Sequence, residues 1–204
     1  MNAFVDTCRI ERESISILMP FLDHKADGRV VLTHKGILAR HLQETVGDAL
    51  FNLPDGTIWG VEFKAEKENK HGNFFLETWS NKNLDNRKTH SERGSNPGWM
   101  MKLRADLLFY HFIESDELYI INFFRLKQWA FGCSGMAPNI YKFDERKQSK
   151  YLQHNDTWGR CVPIHIIAQT IGYRLIHPKK LINIYSQICY SDRRAADGGA
   201  GIGF

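Results

Sequence analysis

Glu62 and Lys64 are separated by one residue within Thr57–Ala65. In an extended chain that spacing aims both side chains at one face, while Val61 and Phe63 take the other. Gly47–Leu53 and Thr57–Ala65 read as two strands joined by the turn Pro54-Asp55-Gly56. Folding the hairpin about that turn brings Asp48 opposite Glu62, to within one residue of register. Asp55 belongs to the turn, about seven strand positions from Glu62 and roughly 23 Å away at about 3.3 Å per residue, so it is scaffolding. Two carboxylates and a lysine on adjacent strands cost electrostatic energy unless a cation or a phosphate completes them. Carboxylate oxygens suit Mg²⁺, which takes one or two of them and fills its other positions with water and phosphate oxygens. A lysine beside it can orient a water and steady charge on a phosphate. Glu-x-Lys alone is more often an exposed pair on an edge strand; Asp48 at hairpin register and Glu77 in the next strand turn the reading toward a site.

The elements that must carry these groups follow in order. Phe4–Met19 has the spacing of an amphipathic helix, with Phe4, Cys8, Ile15 and Leu18 on one face and Pro20 at its end. Asp27-Gly28 is a turn, and Arg29–Thr33 is extended. Lys35–Glu44 has helical spacing and delivers Gln43 and Glu44 beside the Asp48 strand; Gln43 reads equally as a surface residue at a helix end. After the charged loop Glu66–Gly72, a third strand, Asn73–Ser80, places Glu77 on the face of Phe75. A charge among apolar neighbours is costly unless paired, so Glu77 is either a site carboxylate, an anchor for Lys64, or half of a salt bridge.

Asn81–Pro97 is nearly devoid of apolar residues and too long for a routine connection. From Lys82 to Arg104, six basic residues (Lys82, Arg87, Lys88, Arg93, Lys102, Arg104) face Asp85 and Glu92. The stretch is a basic clamp that orders on nucleic acid, or else a solvated crossover. Trp99 stacks on a base or, as is commoner, fills a core gap. Leu107–Phe112 and Leu118–Phe124 read as antiparallel core strands, with Asp106 a structural acid, and Leu126–Phe131 as a helix ending at Gly132.

The pattern Asp48…Glu62-Phe63-Lys64 resembles the PD-(D/E)XK nuclease superfamily, which includes restriction endonucleases, Holliday-junction resolvases and many phage-encoded nucleases. Gln43-Glu44 before the Asp48 strand, an acid near the end of the third strand, the short helix at Gly98-Trp99 and the strand start at Ala105–Leu108 extend the likeness over Thr33–Phe124. No proline precedes Asp48; Gly47 stands there. The resemblance implies an αβββαβ core and Mg²⁺- or Mn²⁺-dependent hydrolysis of DNA phosphodiesters. Asp48, Glu62 and the Phe63 carbonyl would hold the metal, Lys64 would position the attacking water, and Glu77 or Gln43 would complete the site. Some members donate a glutamate from the first helix, which makes Glu13 a further candidate here. Many members cut as homodimers. The alternatives are a nuclease-like fold kept as a DNA- or protein-binding module without catalysis, or an unrelated α/β domain with a coincidental Glu-x-Lys.

The chain of 204 residues, 43% hydrophobic and 12% aromatic, is long and apolar enough for one sizeable core. A net charge of +4 is compatible with a nucleic-acid partner without demanding one. Cys8, Cys133, Cys161 and Cys189 lack zinc-ligand spacing. Asp6, Arg9, Glu11, Arg12 and Glu13 stand where a secretory signal needs an apolar run, and no segment approaches a membrane span; the expectation is a soluble, cytoplasmic protein, in the host cytoplasm if phage-encoded. The expected fold is α/β, a central mixed sheet of about five strands flanked by helices over residues 1–135. A helical extension over 136–192 and a flexible tail over 193–204 follow. In the extension, Tyr141–Leu152 is polar, and Pro163–Ile171 and Pro178–Tyr190 are proline-opened helices. His154-Asn155-Asp156 lacks the second histidine and the ββα pattern of a His-Asn-His nuclease.

Overall fold

A computed structural model describes residues 3–25, 30–33, 39–82, 96–133, 135–148 and 157–181. Asp55 Oδ1 accepts the Thr57 N–H at 2.8 Å, which closes the turn. That turn folds β2 (Ala49–Asn52) antiparallel onto β3 (Ile58–Glu66). On the outer side of β2, β1 (Val30–Leu32) adds a short antiparallel edge. On the far side of β3 lies β6 (Leu107–Phe112), parallel to it, followed by β7 (Glu117–Asn122) and β10 (Arg174–Ile176), both antiparallel to their neighbours. The six-stranded mixed sheet therefore runs β1-β2-β3-β6-β7-β10. The class is α/β, as expected.

Period-two alternation gives β3 two faces with different fates. Val61 and Phe63 are buried with Ala49, Phe109 and Leu118 against Leu18, Phe21 and Leu22 of α1 (Ala3–Lys25). Glu62 and Lys64 face the opposite way, level with Leu108 and Tyr110 of β6. On that side a smaller sheet packs, in the order β5-β4-β9-β8: β4 (Asn73–Asn81), β5 (Asn96–Pro97), β8 (Glu145–Lys147) and β9 (Trp158–Pro163). Phe74 of β4 fills the gap between the sheets, with ring centroids 4.9 Å from Tyr110 and 5.2 Å from Tyr119. On the β2–β3 hairpin lies α2 (Ala39–Val46), which carries Gln43. The short α3 (Trp99–Lys102), α4 (Phe123–Phe131) and α5 (Ile164–Thr170) complete the second core through Trp99, Met100, Leu126, Ala130 and Ile167.

Four expectations are corrected. The third strand, β4, joins the smaller sheet and not the central one, because the parallel β3–β6 pair occupies its place. Among the described residues the C-terminal third is not a helical extension: β9 pairs with β4 and β10 closes the large sheet beside β7, so its strands belong to both layers. The α1 helix runs through Pro20 and does not stop there. Proline removes one backbone hydrogen bond, but Pro20 is exposed, and burial of Leu18, Phe21 and Leu22 on the other face outweighs that loss. Phe123 and Phe124 open α4 and do not extend β7. The side chains of Phe4, Cys8 and Glu44, the turn at Asp27-Gly28, the stretch 83–95, the triplet His154-Asn155-Asp156 and everything from 182 onward lie outside the described residues. Among the described residues no helix is long and apolar enough to cross a membrane.

Candidate active site

The β2–β3 ladder ends at the Ala49–Val61 pair, and past it β3 is paired with β6 alone. Asp48 sits at that fork. Its N–H donates to the Val61 carbonyl at 2.8 Å, and its Oδ2 accepts the Phe63 N–H at 3.0 Å. The carboxylate thereby occupies the donor that a longer β2 would have bonded. Gly47 makes this approach possible: it has φ of 95°, and a Cβ there would stand 2.6 Å from the Val61 carbonyl oxygen. Asp48 therefore faces Glu62, as the hairpin register predicts.

Glu62 is 3% exposed, and its Oε1 lies 2.6 Å from Lys64 Nζ. Burial pushes the Glu62 carboxyl up to about 8 despite the Lys64 charge, and the charge of Asp48 adds to the rise. Burial alone would lower the Lys64 ammonium, but Glu62, Asp48 and Glu11 together hold it well above its ordinary value. Lys64 Nζ also lies 3.7 Å from Glu11 Oε1 and 5.7 Å from the centroid of the Trp99 ring. Glu11 is itself raised, chiefly by burial.

Glu77 and Gln43 reach the same cleft, a hollow of about 310 Å³ that also holds Asp48, Glu62 and Lys64. Ser80, Trp99, Lys102 and Leu103 form the remaining wall. The surroundings of Glu77 differ from expectation. On β4 the buried positions are Phe74, Leu76 and Thr78, while Phe75, Glu77 and Trp79 are half-buried. Glu77 is thus not a charge stranded among apolar side chains; Ser80 Oγ donates to its Oε1. Gly98 sets the distance between this acid and Trp99: its N–H donates to the Thr78 carbonyl at 2.7 Å, and a Cβ on it would stand 2.5 Å from the Glu77 carbonyl oxygen. Trp99 is 6% exposed and packs on Phe123, so it is a core residue whose ring also walls the cleft.

The first helix contributes Glu11, not Glu13. Among the described side chains of α1 the buried ones are Ser14, Leu18, Phe21 and Leu22, and that phase turns Glu11 inward and leaves Glu13 exposed. The series Glu11, Ile15, Leu18, Leu22 has helical spacing and was visible in the sequence. The basic residues divide as well. Lys102 lines the cleft and Arg104 is exposed close by. Lys82 does not serve the cleft: it is paired with Glu145 and lies 4.7 Å from the Trp158 ring centroid. Arg87, Lys88 and Arg93 lie outside the described residues. Asp106 is structural, as expected, accepting the Gly60 N–H at 2.8 Å.

Among the described residues no three His, Cys, Asp or Glu side chains are gathered to cage a metal ion. Mg²⁺ needs no such cage, since it is commonly held by one or two carboxylates, water and phosphate. Asp48 and Glu62, which line one cleft, supply that donor set. Compared with protein-family models, with curated proteins and with solved structures, the chain matches none.

Proposed function

We propose that the protein is a divalent-metal-dependent nuclease that hydrolyses phosphodiester bonds in DNA at the β2–β3 fork. One observation carries the reading: Asp48, Glu62 and Lys64 converge where two strands part, with Glu62 buried and Asp48 held by the strand that bears the other two. The order of elements agrees with it. A helix, then β1, β2 and β3 with α2 between the first two, a crossover that carries β4, β5 and α3, and a parallel β6 are compatible with the αβββαβ succession that the PD-(D/E)XK resemblance implies.

In this reading Asp48 and Glu62, with the Phe63 carbonyl, hold Mg²⁺ or Mn²⁺. The ion supplies Lewis-acid stabilisation of charge on the phosphate. Lys64, kept protonated by its acidic neighbours, donates a hydrogen bond to the attacking water or to a phosphate oxygen. Glu11 and Glu77 fix the ammonium and the rim of the cleft, and Gln43 offers an uncharged amide to the same space. The test is cleavage of supercoiled plasmid and of a branched junction in Mg²⁺ and Mn²⁺, with Glu62→Ala and Lys64→Ala beside the wild type. Cutting that disappears in both variants is the expected result. Undiminished cutting by Lys64→Ala would remove the assignment.

A second reading has its own support. Lys64 is already paired with Glu62 at 2.6 Å, as it would be in a nuclease-like fold kept only for binding. Calorimetric titration with Mg²⁺ separates the two, because a binding module has no need to take up the ion at Asp48 and Glu62.

A further inference from the structure

We propose that the surface formed by the end of α3 and the first turn of α4 binds an unpaired nucleic-acid strand, with the Phe124 ring stacking on a base. The inference rests on the nuclease reading above and names the form of its substrate. Adjacent phenylalanines at the start of α4 have opposite fates: Phe123 is fully buried against Trp99, whereas Phe124 is 65% exposed. Met101, at the end of α3, is 41% exposed. Leaving two large apolar side chains in water has a cost that burial elsewhere would avoid, and nothing among the described residues covers them.

The two segments form one platform. Lys127, one helical turn beyond Phe124, donates from Nζ to the carbonyls of Met101 at 3.1 Å and Leu103 at 2.8 Å. That clamp fixes α4 to α3 and keeps a cation beneath the surface. Burial, and then the charge of nearby Arg104, lower the Lys127 ammonium, which places Arg104 on the same patch. Over residues 101–106 and 122–128 there are four cations, Lys102, Arg104, Arg125 and Lys127, against the single carboxylate of Asp106. Asp106 already accepts the Gly60 N–H.

Position supplies the direction. Lys102 and Leu103 belong to the cleft wall that holds Asp48 and Glu62, so the platform begins at the cleft mouth. A strand lying across it has its phosphates over Lys102 and Arg104 and enters beside the carboxylates. A protruding aromatic ring gains from a base only where the base face is free, as in a single strand; in duplex both faces are already stacked. Cations interleaved with exposed apolar side chains match that chemistry better than an all-basic groove would.

The experiment is fluorescence anisotropy in EDTA, where no divalent ion supports cleavage. The probe is a labelled oligothymidine of about 20 nucleotides, long enough for the site sizes of single-strand binders, with a blunt duplex of the same length as comparison. Phe124→Ala is expected to weaken oligothymidine binding about 10-fold, to leave duplex binding unchanged and to keep the melting temperature of the wild type. Lys102→Ala with Arg104→Ala should lower the salt slope of single-strand binding by about 1.4. Equal oligothymidine affinity in wild type and Phe124→Ala overturns the inference, whether or not the protein cleaves DNA. So does a failure of the wild type to bind the oligonucleotide, or a Phe124→Ala change that appears only in the oligomeric state by light scattering. A wild type that cuts nothing yet binds oligothymidine through Phe124 keeps this inference and removes the nuclease reading.

Discussion

Asp48 Oδ2 accepts the Phe63 N–H at 3.0 Å, so the strand that carries Glu62 and Lys64 also orients the carboxylate facing them. Asp48→Asn keeps an acceptor for that bond and removes the charge. It should fold with a melting temperature within a few degrees of wild type while Mg²⁺ uptake and cleavage are lost. Asp48→Ala should lose the hydrogen bond as well, at about 1 kcal/mol of stability. Calorimetry and plasmid cleavage on the pair decide it; wild-type cleavage by Asp48→Asn would show that the charge is not used.

Lys64→Met keeps the aliphatic stem beside Trp99 and deletes the ammonium that meets Glu62 and Glu11. Cleavage should fall by about 10²- to 10³-fold, the loss typical of removing one donor to developing charge. Retardation of DNA on a gel should be unchanged. A variant that loses binding and cleavage together would make Lys64 a substrate anchor instead.

Stability should respond to pH through His111. The ring is fully buried in β6, its Nδ1 lies 2.9 Å from Ser14 Oγ of α1, and its Nε2 has no partner among the described residues. Burial, against the opposing charge of Asp116 and with that of Lys179, lowers its pKa to about 4. The unfolded chain takes up this proton near pH 6.5 and the folded chain does not. This contribution is therefore complete above pH 6.5 and is lost as pH falls toward 4, by up to about 3 kcal/mol. Urea unfolding at pH 7 and pH 5 should show a smaller loss for His111→Gln than for wild type. Equal losses would place the acid sensitivity elsewhere.

Gly98→Ala tests how tightly α3 is seated on β4. Its φ of −71° strains no residue, so the penalty is purely steric: backbone atoms of Glu77 and Thr78 lie 2.5–2.8 Å from the added methyl. A loss of about 1–3 kcal/mol is expected, with Trp99 displaced from the cleft and cleavage reduced. Tryptophan fluorescence and urea unfolding read both; an unchanged midpoint would mean that α3 sits loosely.

The part of the site legible in the sequence is the part governed by local geometry. Asp55-Gly56 sets the turn, the turn sets the register, and the register brings Asp48 to Glu62 with no knowledge of the rest of the chain. Glu77 was harder, because alternation along β4 reveals two faces but not which sheet covers either; the rings of Tyr110 and Tyr119 decide that, from more than thirty positions away in sequence. The exchange of Glu13 for Glu11 is a matter of helical phase, fixed by Leu18 and Leu22 near the end of a helix whose interior proline looked like a stop. The strands of the C-terminal third escaped because β8 and β10 are three residues each and mostly exposed, so they carry little apolar alternation to read.

Ser14 and His111 are separated by 97 positions, and this separation orders events during synthesis. The helix that supplies Glu11 leaves the ribosome ahead of the strand that carries His111, which follows about 5–20 s later at ordinary elongation rates. Through that interval the apolar face of Leu18, Phe21 and Leu22 lacks Phe109 and Leu118 and stays open to chaperones. The cleft is thereby completed late: the acid of α1 meets the lysine of β3 in its final setting only once the chain has been made past its midpoint, at His111.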